Sequence, residues 1–158
     1  MTVPADSAKD QVQTATTGLV NLRENSRWVG GSLIYDGGER LVTGWHFHDV
    51  HEIEYAIRGM VEVKTEAGHY LLPPHQAAWI PAGLHHQTTL NAGMQTLAVL
   101  FEPRLVPMAG DRVRIIAVSA LLREMMRYSV RWPISRTESG MEADSFFQTL
   151  GYVVAEAL

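Results

Sequence analysis

The stretch WHFHDVHEIEYAIRG, Trp45 to Gly59, holds three of the chain's seven histidines and two glutamates among apolar residues. Alternate residues of a strand share a face. The even positions His46, His48, Glu52 and Glu54 therefore fall together, opposite the apolar odd positions Trp45, Phe47, Ile53, Tyr55 and Ile57. A short turn at Asp49-Val50-His51 interrupts this pattern. If the odd face packs on a core, the even face is either solvated or lines a polar pocket. A buried polar group without a partner costs about 2 kcal/mol or more. A metal ion satisfies two imidazoles and a carboxylate at once.

A second cluster, WIPAGLHHQTT, spans Trp79 to Thr89. Pro81 and Gly83 set a tight turn, and His85 and His86 follow with side chains on opposite faces. One of the two can join the first cluster. Imidazoles plus a carboxylate suit zinc, nickel, iron, manganese or cobalt rather than copper(I) or calcium. A solvated histidine pair is the plainer reading of H-x-H in a strand, and composition alone does not choose between them. The chain has no cysteine, which excludes disulfides, thiolate nucleophiles and sulfur-rich zinc sites.

Short strands must position these residues. From about Leu19 to Phe101, WVGGSLIY, RLVTGWHFH, EIEYAIRG, MVEVKT, HYLLP, AAWIP, HQTTL and TLAVLF are rich in β-branched and aromatic residues. Turn signals at 36–39, 65–68, 73–75, 81–83 and 91–93 separate them. Strands at this spacing without intervening helices predict an antiparallel sandwich or barrel over residues 19–108. Residues 1–18 are polar and aperiodic and read as a flexible arm. Residues 109–158 change character. RVRIIAVSA fits a last strand or crossover, Ser119 caps a helix over LLREMMRYSV, and Pro133 limits it. A second helix runs from about Glu142 to the end, with a stripe of Phe146, Phe147, Leu150, Val153, Val154, Ala157 and Leu158. That stripe needs cover from its own barrel, a partner chain or a further domain. The helix reaches Leu158 without a stop signal, which reads as a chain continuing into a longer protein.

The chain has 158 residues, of which 46% are hydrophobic and 19% charged, an ordinary balance for one domain with a real core. No apolar run nears the roughly 18 residues of a membrane span, and no secretory signal opens the chain, so a cytoplasmic location is expected. Net charge is -4, with only two lysines. DNA binding by this chain alone is therefore not expected. Phosphate loops and serine nucleophile elbows are absent.

The two clusters resemble the cupin motifs. H-x-H, three residues, Glu, six residues, Gly reads here as His46-x-His48, Glu52 and Gly59. Pro-x-Gly-x-x-His reads as Pro81-x-Gly83-x-x-His86. The resemblance selects His46, His48, Glu52 and His86 as ligands of one divalent metal, zinc or nickel foremost. Three positions depart from the pattern. Arg40 and His75 stand where glycines are expected, and Leu90 stands where Asn is expected, with Asn91 one residue late.

The barrel followed by RIIAVSALLREMMRY and a second amphipathic helix resembles the sensor half of an AraC-type transcription regulator. This implies a cupin-type antiparallel β-barrel (a double-stranded β-helix or jelly roll), then two helices that mediate homodimerisation. It also implies a small-molecule or metal effector, and DNA contact only through a helix-turn-helix domain beyond this chain. Trp45, Phe47, Glu54, Tyr55 and Trp79 are the candidate effector pocket, with Glu54 fixing a ligand imidazole. A small metal-dependent dioxygenase or isomerase is the alternative. A barrel without metal, binding an apolar or sugar-like ligand, is a third possibility.

Overall fold

A computed structural model describes residues 17–20, 22 and 27–158. Eleven strands form two sheets among the described residues. One holds β1 (Thr17–Val20), β3 (Leu41–Val42), β4 (Trp45–His48), β6 (Val61–Thr65), β7 (Gly68–Leu72) and β9 (His86–Leu90). The other runs β11-β8-β5-β10-β2, with β2 (Gly30–Asp36), β5 (His51–Arg58), β8 (Gln76–Ile80), β10 (Gln95–Phe101) and β11 (Arg114–Ala117). All pairings are antiparallel except β1 with β4, which is parallel. The expected mainly-β jelly roll with two following helices is the architecture observed. RVRIIAVSA supplies β11, the edge strand beside β8. The expected arm over residues 1–18 is shortened, because Thr17 and Gly18 already pair with β4; the rest of it lies outside the described residues.

Two apolar layers flank the second sheet. Ala56, Val61, Val63, Leu72, Ala78, Ile80 and Leu90 meet between the sheets. On the other face of the second sheet, Ile53, Tyr55, Trp79, Val99 and Phe101 pack under the helices. Strands β5, β8 and β10 are buried on both faces; β8 and β10 read as largely apolar runs, whereas β5 carries Glu52 and Glu54 on its inner face.

Helix α1 spans Ala120–Tyr128, and Ser119 caps it by accepting from the Leu122 amide at 3.1 Å. A 3-10 turn over Ser129–Arg131 ends it ahead of Pro133. Helix α2 spans Met141–Ala157. Its stripe is covered by the chain's own sheet: Phe147, Leu150 and Val154 are fully buried there. Gly30 makes the close approach possible, because a Cβ at that position would stand 2.3 Å from the Phe147 ring.

Candidate metal centre

The first histidine cluster is built by a strand, a two-residue turn and a second strand. His46 and His48 alternate on β4, so both face the space between the sheets. The turn at Asp49-Val50 carries the chain to the second sheet. His51 opens β5, and Glu52 returns to the interior from there. His86 opens β9 and sits directly opposite His46 in register. The first sheet thus supplies three imidazoles and the second sheet one carboxylate.

The second motif places His86 through its turn. Gly83 has φ +81°, a left-handed conformation that a side chain would strain. The Gly83 amide donates to the His48 carbonyl at 2.9 Å, and the Ala82 amide donates to His51 Nδ1 at 2.8 Å. His51 therefore ties one motif's turn to the other. Its ring packs against Trp79, away from the other imidazoles.

His46, His48, Glu52 and His86 are all buried. A ring nitrogen from each of the three histidines lies within 4.8 Å of the others. Each Nδ1 is engaged by a backbone carbonyl at 2.8 Å: Gly44 for His46, Val50 for His48 and Leu84 for His86. Those bonds hold the rings and leave each Nε2 free to turn inward. His48 Nε2 meets Glu52 Oε2 at 2.6 Å, and His86 Nε2 lies 4.0 Å from the same oxygen. His86 Nε2 is buried and has no hydrogen-bond partner. A buried orphan nitrogen beside two further inward nitrogens and a carboxylate is the donor set a divalent ion requires. The residues fit such an ion.

Electrostatics divide the cluster. Burial pulls His86 down to about 4 and also lowers His46, so both rings are neutral at pH 7. Burial would lower His48 too, but the hydrogen bond and charge of Glu52 outweigh it and raise this imidazole above its ordinary value. Burial would raise Glu52, yet the His48 hydrogen bond and charge hold it well below the usual carboxylate range. Glu54, also buried, is pushed well above that range by burial and by the Glu52 charge. The cluster thus favours a proton shared between His48 and Glu52 and the protonated form of Glu54.

The candidate effector residues do not gather. Only Glu54 faces the space between the sheets, and it abuts the Glu52 carboxylate rather than an imidazole. Trp45 is exposed and Phe47 stacks on His85 at 4.6 Å, both on the side of β4 away from the ligands. Tyr55 and Trp79 belong to the helix-facing core, where Trp79 Nε1 donates to the Ala109 carbonyl at 2.9 Å. The Asp49-Val50 turn explains this: it moves the chain between sheets, so equal parity on its two sides no longer means a common pocket. His51's role went unread, as did the three backbone carbonyls, which carry no side-chain signature.

Residues 29–149 match the AraC-like ligand binding domain family. The chain belongs to that family. This AraC-like domain is 27% identical over 93 residues to the HTH-type transcriptional regulator NimR of Escherichia coli (strain K12), covering 59% of this chain and 34% of NimR. It thus spans about a third of that relative's length. In three dimensions it resembles ToxT from Vibrio cholerae strain SCE256, with a TM-score of 0.59 over 84% of this chain and 57% of ToxT at 8% identity. A second ToxT structure gives 0.53 over 82% of this chain at 7% identity. These two likenesses speak to the fold alone. Among the described residues, no helix is long and apolar enough to cross a membrane.

Proposed function

We propose that this AraC-like domain is the effector-binding and dimerisation unit of a transcription regulator and holds one divalent transition metal, zinc or nickel, at His46, His48, Glu52 and His86. The orphaned His86 Nε2, buried beside two inward imidazoles, is the observation that carries the metal reading. Bound there, a metal supplies Lewis acidity toward an oxygen-donor ligand. The protein's own part is to hold three imidazoles by their backbone-bonded Nδ1 atoms and to surrender the proton shared by His48 and Glu52. Because the ligands come from both sheets, occupancy would change how firmly the sheets are held together, which is a physical route from binding to a regulatory state.

Leu121 on α1 and Tyr152 on α2 are well exposed and supply apolar surface for a second copy. DNA contact would belong to a helix-turn-helix domain outside this chain. The net charge of -4 agrees with that division of labour.

Elemental analysis of protein purified without a metal-affinity tag tests the metal reading. About one equivalent of metal in the parent, lost in His48→Ala and Glu52→Ala, is expected; a metal-free parent protein after zinc addition overturns it. Sedimentation tests the dimer: Leu121→Glu should convert a dimer to monomer. Turnover of an oxygen-consuming or isomerisation substrate at enzyme-like rates would replace the regulator reading.

A further inference from the structure

A cavity opens beside the Leu84-His85 step that leads into His86. It has a volume of about 320 Å³, within the range that holds small organic ligands. Three segments distant in sequence build it: the β6–β7 turn with Tyr70, the Leu84-His85 step, and the Asp111-Arg112-Val113 loop. Its floor is apolar. Val113 is part of the core between the sheets, and Tyr70 and Leu84 pack against it. Its rim carries both signs of charge, Arg112 facing Asp111 with Nε–Oδ1 at 3.4 Å. Both side chains are strongly exposed, at 77% and 88%, so their mutual attraction contributes little and both charges are available to a ligand.

The cavity also touches the metal cluster through the backbone. The Leu84 carbonyl accepts the His86 Nδ1 proton at 2.8 Å, and Leu84 lines the cavity. A ligand that shifts Leu84 shifts the imidazole it anchors.

We propose that this cavity is the organic effector site of the domain and takes a small zwitterion with an apolar side chain, the chemistry of an α-amino acid. Arg112 receives the carboxylate, Asp111 the ammonium, and Tyr70, Leu84 and Val113 the side chain. Occupancy is coupled to His86 through Leu84. This rests on the effector-binding reading above but not on a metal being present.

L-Leucine is the probe, titrated into the intact chain in EDTA and followed by backbone amide NMR. Shifts at Tyr70, Leu84, Val113 and His86 are expected. Isoamylamine, which lacks the carboxylate, and 4-methylpentanoate, which lacks the ammonium, should each bind at least about tenfold more weakly, as should L-leucine to Arg112→Ala. Ala67→Trp adds bulk at an exposed lining position of the turn and should abolish binding without touching the core. Repeating the titration with zinc should change leucine affinity, and leucine should change zinc affinity by the same factor. Zinc failing to bind would overturn the metal reading while leaving the EDTA result standing. No shift with leucine, equal binding of the single-charge analogues, or unchanged affinity in both Ala67→Trp and Arg112→Ala overturns the cavity assignment.

Discussion

Strand β5 faces two different cores. Its odd residues Ile53 and Tyr55 meet Trp79, Phe101 and Phe147 in a layer built almost wholly of apolar side chains. Its even residues Glu52 and Glu54 enter a region shared with His46, His48 and His86, where every polar atom needs a partner. The helix-facing layer is stabilised by removal of apolar surface from water, and its contribution scales with area. The ligand-facing layer is stabilised only while its hydrogen bonds and charges balance. One face therefore responds to volume and the other to protons and metal.

The largest effect should come from the apolar face. Phe147 is fully buried and touches Phe101, Trp132 and Phe146. Phe147→Ala should cost about 3–5 kcal/mol in urea unfolding. Metal stoichiometry of the folded fraction should be unchanged. A loss of metal in folded Phe147→Ala would show the two faces to be one cooperative unit.

Protons should act next, and only on the ligand face. His86 is held at about 4 in the folded chain against an ordinary value near 6.5. Between those values the unfolded chain binds a proton that the folded chain refuses. The stability that His86 contributes to the metal-free domain should therefore fall as pH drops from about 6.5 to about 4, by an amount on the order of 3 kcal/mol. Glu52, lowered in the fold, adds to the acid loss below the ordinary carboxylate range. His48, raised in the fold, contributes stability that is full below about 6.5 and is lost as pH rises through its folded value. His46, also lowered in the fold, adds to the loss in the His86 window, whereas Glu54, raised in the fold, contributes stability that is full below the ordinary carboxylate value and is lost as pH rises, so comparison of variants isolates the His86 contribution. Denaturation across pH checks it: His86→Phe should shift the slope between about 6.5 and 4 by the His86 contribution, and an unchanged slope would refute the assignment to His86.

Metal removal should rank third. At a free zinc concentration a hundredfold above Kd, the loaded domain gains about 2.7 kcal/mol. Chelation should lower Tm accordingly. Because His48 must release a proton to ligate, zinc affinity should weaken as pH falls. Glu52→Ala should abolish the Tm difference between zinc and EDTA while Tyr152→Ala preserves it.

The sequence showed the strands well because half-buried and buried strands have distinct periodicities. Val61 and Val63 are buried while Glu62 and Lys64 are half-buried, as alternation requires. The parity of His46, His48 and Glu52 also survived, since all three face the interior. The odd positions divided, because Asp49-Val50 carries the chain from one sheet to the other and parity is local to a strand. The capping of α1 by Ser119 was readable from residue type. The anchoring of each imidazole by a backbone carbonyl was not, since every residue has one. The cavity beside Leu84 was equally hidden, its walls being contributed by loops near 67, 84 and 112.

The smallest effect should distinguish Glu54 from Glu52, two residues apart on the same face. Glu54 is flanked in register by Ala78 and Ala98, small residues that leave room for its side chain. Burial and the neighbouring Glu52 charge push its carboxyl toward the protonated, neutral form. A glutamine has nearly the same shape and is also neutral, so Glu54→Gln should change stability by less than about 1 kcal/mol and leave metal content intact. Glu52→Gln removes the charge that pairs with His48 and should lose the metal. If Glu54→Gln also strips the metal, the second carboxyl is a ligand in its own right and the division of β5 into one ligand and one spectator fails.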